Sequence, residues 1–129
     1  MTPFLAQALL LIQLLWPVQA HIITQYQIVN TPLYGVTAYA DCDGKAIVID
    51  EQQLDATYED RRLRLLWAAS ILVHESVHQR EGCIASEYGA LDTQLLFLES
   101  AHAPGFMTRY VRGLRDAAKR VQGRDQGER

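Results

Sequence analysis

Between Tyr58 and Glu81 the chain carries its longest helical pattern, with Leu63, Leu66, Trp67, Ser70, Ile71, His74, Val77 and His78 at spacings of three and four. On a helix of 3.6 residues per turn these positions form one stripe, and a stripe of this kind faces a core. The fold must therefore be built around this segment. Thr57, with Glu59 and Asp60 in the first turn, marks its start, and Gly82 stands where a left-handed residue closes a helix. His74 and His78 lie one turn apart on or beside the buried stripe, so their rings project from the same inward face.

The flanking segments indicate an α+β domain. His21 to Val29 is rich in β-branched and aromatic residues and is predicted as a strand. Thr31-Pro32 and Gly35 interrupt it, Val36 to Cys42 alternates, and Lys45 to Asp50 forms a further apolar run. Asp43-Gly44 between the last two predicts a tight hairpin whose central residues both take positive φ. Beyond the long helix, a second is expected over Ser86 to Ala101, ended by Pro104-Gly105. A third is expected over Phe106 to Val121, with Val111, Leu114, Ala118 and Val121 on one face, followed by a flexible tail over 123–129. The expected architecture is a small antiparallel hairpin sheet packed on a helical pair, plus a C-terminal helix. At 129 residues and 49% hydrophobic side chains, one domain with a small core accounts for the chain.

The first 20 residues admit two readings that bear on compartment. Phe4 to Trp16 is uncharged and Leu-rich, and Val18-Gln19-Ala20 has the small-x-Ala form of a signal-peptidase site, which reads as a secretory signal. Leu5, Leu9, Ile12 and Trp16 also recur at helical spacings before Pro17, which reads as a first core helix. The first reading places the domain, residues 21–122, outside the cell or in the periplasm, and the second allows the cytoplasm. About 13 apolar residues are too few for a membrane span. Cys42 and Cys83 are the only cysteines, and in an exported chain they would pair. That disulfide would staple a hairpin tip to a helix end and contribute roughly 4 kcal/mol in the chain-entropy model. Reduced thiols are the alternative. Cleavage after Ala20 would also leave His21 as an amino-terminal histidine, a group able to chelate copper.

The chemistry-bearing element is His74-Glu75-Ser76-Val77-His78. Two imidazoles at i and i+4 can hold one Zn²⁺, and the glutamate beside them can take a proton from water on the metal. A reactive zinc site uses a third protein ligand and keeps one position open. Glu81, Glu87, Glu99 and His102 are the candidates. Glu87, at the start of the next helix after a tight turn, is best placed to close the site, with Glu81 in reserve.

HESVHQREGCIASEYGALDTQLLFL resembles the two-helix core of minimal gluzincin-type zinc metallopeptidases, where His-Glu-x-x-His on one helix is followed by Glu-x-x-Ala on the next. Glu87-Tyr88-Gly89-Ala90 fits the second pattern. The resemblance, over about Tyr34 to Leu98, implies His74, His78 and Glu87 as zinc ligands and Glu75 as the general base. It also implies a strand such as Ala46 to Asp50 along the active-site edge, where an extended peptide could pair. Larger members of the family add a His or Tyr that stabilises the oxyanion, and Tyr88, His102 and Tyr110 are the candidates here. The implied partner is a peptide or protein substrate.

Other classes are weighed against this. A catalytically silent zincin-fold domain would bind zinc or a protein without turnover. Seven of the twelve basic residues follow Pro104, which could mark a binding helix, although a solvated face explains them as well. With 12 basic against 15 acidic residues and a formal charge of −3, no nucleic-acid partner is expected.

Overall fold

The computed structural model describes residues 1–81, 83 and 87–127. The elements are α1 (Pro3–Leu15), α2 (Pro17–Thr24), β1 (Gln27–Asn30), β2 (Ala38–Asp41), β3 (Ala46–Ile49), α3 (Glu51–Leu54), α4 (Arg61–Arg80), α5 (Glu87–Ser100) and α6 (Gly105–Gly127). The class is α+β, as the sequence pattern requires, with a three-stranded sheet and a set of packed helices.

Helix α4 is the axis of the molecule, packed by α1, α2, α5 and the sheet. Its buried side includes Leu66, Ala69, Leu72 and Val73. Asp60 caps it, the carboxylate accepting the Arg62 N–H at 2.8 Å. Thr57, expected in that role, donates its hydroxyl to the carbonyls of Gln53 and Leu54 instead. Gly82 and Ser86, expected at the two helix boundaries, lie outside the described residues. Cys83 adopts a positive φ of 62°.

The sheet order is β1-β3-β2, with β2 antiparallel and β1 parallel to β3. The expected hairpin is present, but the sheet is mixed rather than wholly antiparallel. Strand β3, Ala46-Ile47-Val48-Ile49, is buried along its whole length, as a central strand covered on both faces requires. The turn also differs from expectation. It spans Cys42 to Lys45, and Lys45 carries the positive φ, at 50°, rather than Asp43 and Gly44. The Asp41 carboxylate accepts the Gly44 N–H at 3.0 Å, so a side chain supplies the acceptor of the turn. A Cβ at Gly44 would lie 2.5 Å from the same carboxylate, so a larger residue there requires the Asp41 side chain to shift.

The predicted strand over His21 to Val29 is split. Pro17 at the first position starts α2, and Ala20 and Ile23, three apart, bury against the core, so packing overrides the β preference of Ile22 and Ile23. Only Gln27 onward is strand. Helix α1 buries Phe4, Leu5, Ala8 and Ile12. Trp16 meets the Phe97 ring edge-on at 5.4 Å. Helix α6 extends beyond the expected Val121 to Gly127. It buries Met107 and Val111, whereas Leu114 and Val121, expected on the same inward face, are exposed.

Two links tie the hairpin to α4. The buried Gln79 amide donates to the carbonyls of Asp41 at 2.7 Å and Ala46 at 2.5 Å, clasping the base of the turn. Cys42 and Cys83 form a disulfide, with Cα atoms 6.0 Å apart and a sequence separation of 41. Replacing both cysteines by serine is expected to lower unfolding free energy by about 4 kcal/mol in chemical denaturation. The far-UV spectrum should be retained.

Candidate metal centre

The site is made by two helices. Helix α4 presents His74, Glu75 and His78, and the first turn of α5 presents Glu87. Glu87 Oε1 lies 3.2 Å from His74 Nε2 and 2.6 Å from His78 Nε2. The three ligand atoms all fall within 4.8 Å of one another. Glu75 is buried beside them, with Oε1 3.7 Å from His74 Nε2.

His74 is oriented from behind. Its Nδ1 lies 2.9 Å from Gln94 Oε1, and an amide oxygen can only accept, so Nδ1 carries a proton and Nε2 is the nitrogen turned toward Glu87. Gln94 in turn donates to Ser70 Oγ at 3.1 Å, and Ser70 donates to the Trp67 carbonyl at 2.7 Å. Gln94 and Ser70 are buried. The sequence reading missed Gln94. The available signal was its position seven residues after Glu87, two turns on and on the same face of α5.

Two imidazole nitrogens and a carboxylate oxygen directed at one point suit a first-row divalent metal. The set can hold one ion, and the hydrogen bond behind His74 is the kind of support that metal-bound histidines receive.

The local electrostatics point the same way. Hydrogen bonds from His74 and His78 hold the Glu87 carboxyl well below the usual carboxylate range. The reciprocal bond to Glu87 raises His78. Burial pushes Glu75 up, partly offset by the two histidines. A cation at this point would take the place of the proton that His78 otherwise holds between itself and Glu87.

The remaining candidates are not brought to this point. Glu81 is exposed at the C-cap of α4, outside the three-residue group. Glu99 is at the far end of α5, 3.4 Å from Arg112. His102 is exposed, with a φ of 54°, in the connection to α6. Among the described residues His21 joins no metal-binding group; it sits in α2 with its Nε2 3.4 Å from the Gln25 amide nitrogen.

A cleft of about 910 Å³ opens from His74, Glu75 and Glu87 and runs between the start of β2 and α6. Tyr110 lines it. Tyr88 instead lies under Lys119, 5.9 Å from ring centroid to Nζ. The expectation that Ala46 to Asp50 forms the edge of the site is corrected. Strand β3 is paired on both sides, and the segment beside the cleft is Gly35 to Ala38, which leads into the edge strand β2.

Compared with protein-family models, curated proteins and solved structures, the chain has no significant match.

Two outcomes are expected from this geometry. Gln94→Ala should weaken divalent-metal affinity about 10- to 100-fold, measured by competition with a chelating dye. The second concerns pH. His78, raised above its ordinary 6.5, contributes stability fully below that value and loses it as pH rises through its folded pKa. Glu87, lowered from 4.5, contributes above that value and loses it as pH falls through its folded pKa. The metal-free pair should therefore stabilise most between 4.5 and 6.5. Metal affinity should fall on acidification through the raised His78 value, because binding must expel that proton.

Proposed function

We propose that this chain is a zinc-dependent peptidase of the minimal gluzincin type, acting on peptide or protein substrates in a secreted or periplasmic setting, with α1, whose Phe4, Leu5, Ala8 and Ile12 are buried in the core, retained rather than removed as a signal. The observation that carries the reading is the convergence of His74 and His78 with the Glu87 carboxylate, with Glu75 buried beside them at one end of a long cleft. The disulfide supports the compartment, since such bonds persist where the surroundings are oxidising. None of the described helices is long and apolar enough to cross a membrane.

His74, His78 and Glu87 would hold the ion. When bound, zinc supplies a water acidified toward neutrality and a Lewis acid for the scissile carbonyl. The protein's own groups perform the rest. Gln94 keeps His74 in the tautomer that can ligate. Glu75 takes the proton of the attacking water and passes it to the departing amine, and its raised pKa brings it nearer the working pH of a general base. The cleft orients an extended peptide between Gly35 to Ala38 and α6, and Tyr110 is the candidate donor to the developing oxyanion.

One rival draws on a specific observation. Tyr88 and His102, the other oxyanion candidates, do not line the cleft. A catalytically silent zinc-binding or protein-interaction domain would have the ligand set and lack that support.

Glu75→Gln separates the two. In the peptidase it should keep about one zinc per chain and lose hydrolysis of an unstructured protein by about 10²- to 10⁴-fold. His74→Ala should lose both zinc and hydrolysis. Full activity in the Glu75 variant would rule the mechanism out, and no hydrolysis by zinc-loaded wild type would favour the silent domain.

A further inference from the structure

We infer that the site selects peptide bonds flanked by a large apolar or aromatic side chain, which seats against Trp67, Tyr110 and Leu114; this rests on the peptidase reading above. The cleft that begins at His74, Glu75 and Glu87 is walled along the rest of its length by Val36, Trp67, Ile71, Leu91, Tyr110 and Leu114. Three of these face water, with Val36 50%, Tyr110 58% and Leu114 41% exposed. Burying apolar surface of this kind under a substrate side chain is favourable at roughly 25 cal/mol per Å².

The two side-chain amides of the cleft, Gln53 and Gln94, are already engaged. Gln94 is bound to His74 and Ser70. The Gln53 amide donates to the Leu33 carbonyl and to Asp50, each at 2.8 Å. The Thr37 carbonyl accepts from Asp50 N–H at 2.8 Å. Among the described residues no lysine or arginine lines the cleft, and its two carboxylates, Glu75 and Glu87, are both at the metal end. An acidic substrate side chain would therefore meet like charge and no cation. A basic one would find only carboxylates committed to the metal chemistry.

The wall is also preformed. Trp67 and Tyr110 have ring centroids 6.0 Å apart, Tyr58 meets Trp67 edge-on at 6.5 Å, and Phe106 lies 5.9 Å from Tyr58. Side chains held by one another in this way lose little freedom when a ligand arrives. The continuity of this aromatic wall with the ligand set makes the occupant a residue next to the scissile bond.

The test uses the zinc-loaded full chain on a mixed peptide library, with cleaved bonds mapped by mass spectrometry. Phe, Tyr, Leu and Met should be enriched at least about 10-fold over Asp and Glu at one position beside the cut, the discrimination that one large apolar contact supports. Leu114→Arg, on an exposed position, should keep zinc content and thermal stability while losing that enrichment. Cleavage without side-chain preference, or an unchanged preference in Leu114→Arg, would overturn the inference. If zinc is bound and nothing is cleaved, the peptidase reading fails, and the groove is read separately. Zinc-loaded Glu75→Gln is then titrated with a blocked Phe-Leu peptide and a blocked Asp-Glu peptide, following tryptophan fluorescence. Tighter binding of the apolar peptide, weakened by Leu114→Arg, would uphold the groove assignment; equal or absent binding would overturn it.

Discussion

The contact between α4 and α5 is the constraint on which the rest depends. Ser70 and His74 on α4 and Gln94 on α5 are buried together there. Polar bonds then set the register. Gln94 reaches from α5 to Ser70 and His74, and Glu87 reaches back to His74 and His78. The same pairing that closes the core thus brings a carboxylate in front of two imidazoles and an amide behind one of them. A buried hydrogen-bond chain of this sort is costly if left half satisfied, so it specifies one arrangement of the two helices rather than a set of them.

A second consequence of that pairing is electrostatic. Glu75 is a buried acid, and burial alone raises its pKa, while the adjacent histidines oppose the shift. Glu87 is 59% exposed at its side chain and is held low by the bonds it accepts. Two glutamates close to the same histidines are therefore pushed in opposite directions by their surroundings, one toward its protonated form and the other toward its ionised form. Environments that separate paired groups in this way are how a site assigns different roles to the same residue type.

The hairpin and α6 frame the cleft without contributing a residue to the His74, His78 and Glu87 group. Gln79 and the disulfide fix the hairpin turn to the end of α4, which places the segment before β2 along one side of the cleft. On the other side, the buried residues of α6 among those described are Met107 and Val111, and the helix packs on α5. Arg112 and Arg115 reach Glu99 and Asp92 across that packing, at 3.4 Å and 3.0 Å. These two basic residues hold α6 in place and leave Tyr110 and Leu114 toward the cleft.

The sequence by itself determined the elements whose residues act through local periodicity. The α4 stripe, the His74/His78 spacing, the β2 and β3 runs and the following two helices are all consequences of side-chain pattern along one segment. Glu87 was legible as a candidate ligand because it follows the His74/His78 helix closely in sequence, at the start of the next helical pattern. Tertiary packing decided the rest. Ile22 and Ile23 became helical because a partner surface was there to bury Ala20 and Ile23, which propensity does not encode. Strand β1 joined β3 in parallel, making the expected active-site strand a central one, because sheet order depends on contacts between distant segments. Gln94 acquired its role only when α5 lay beside Ser70 and His74, and the exposed side of α6 became one wall of a cleft only when α5 fixed its position. Spacing along a helix sets which side chains share a face, and only packing sets what that face meets.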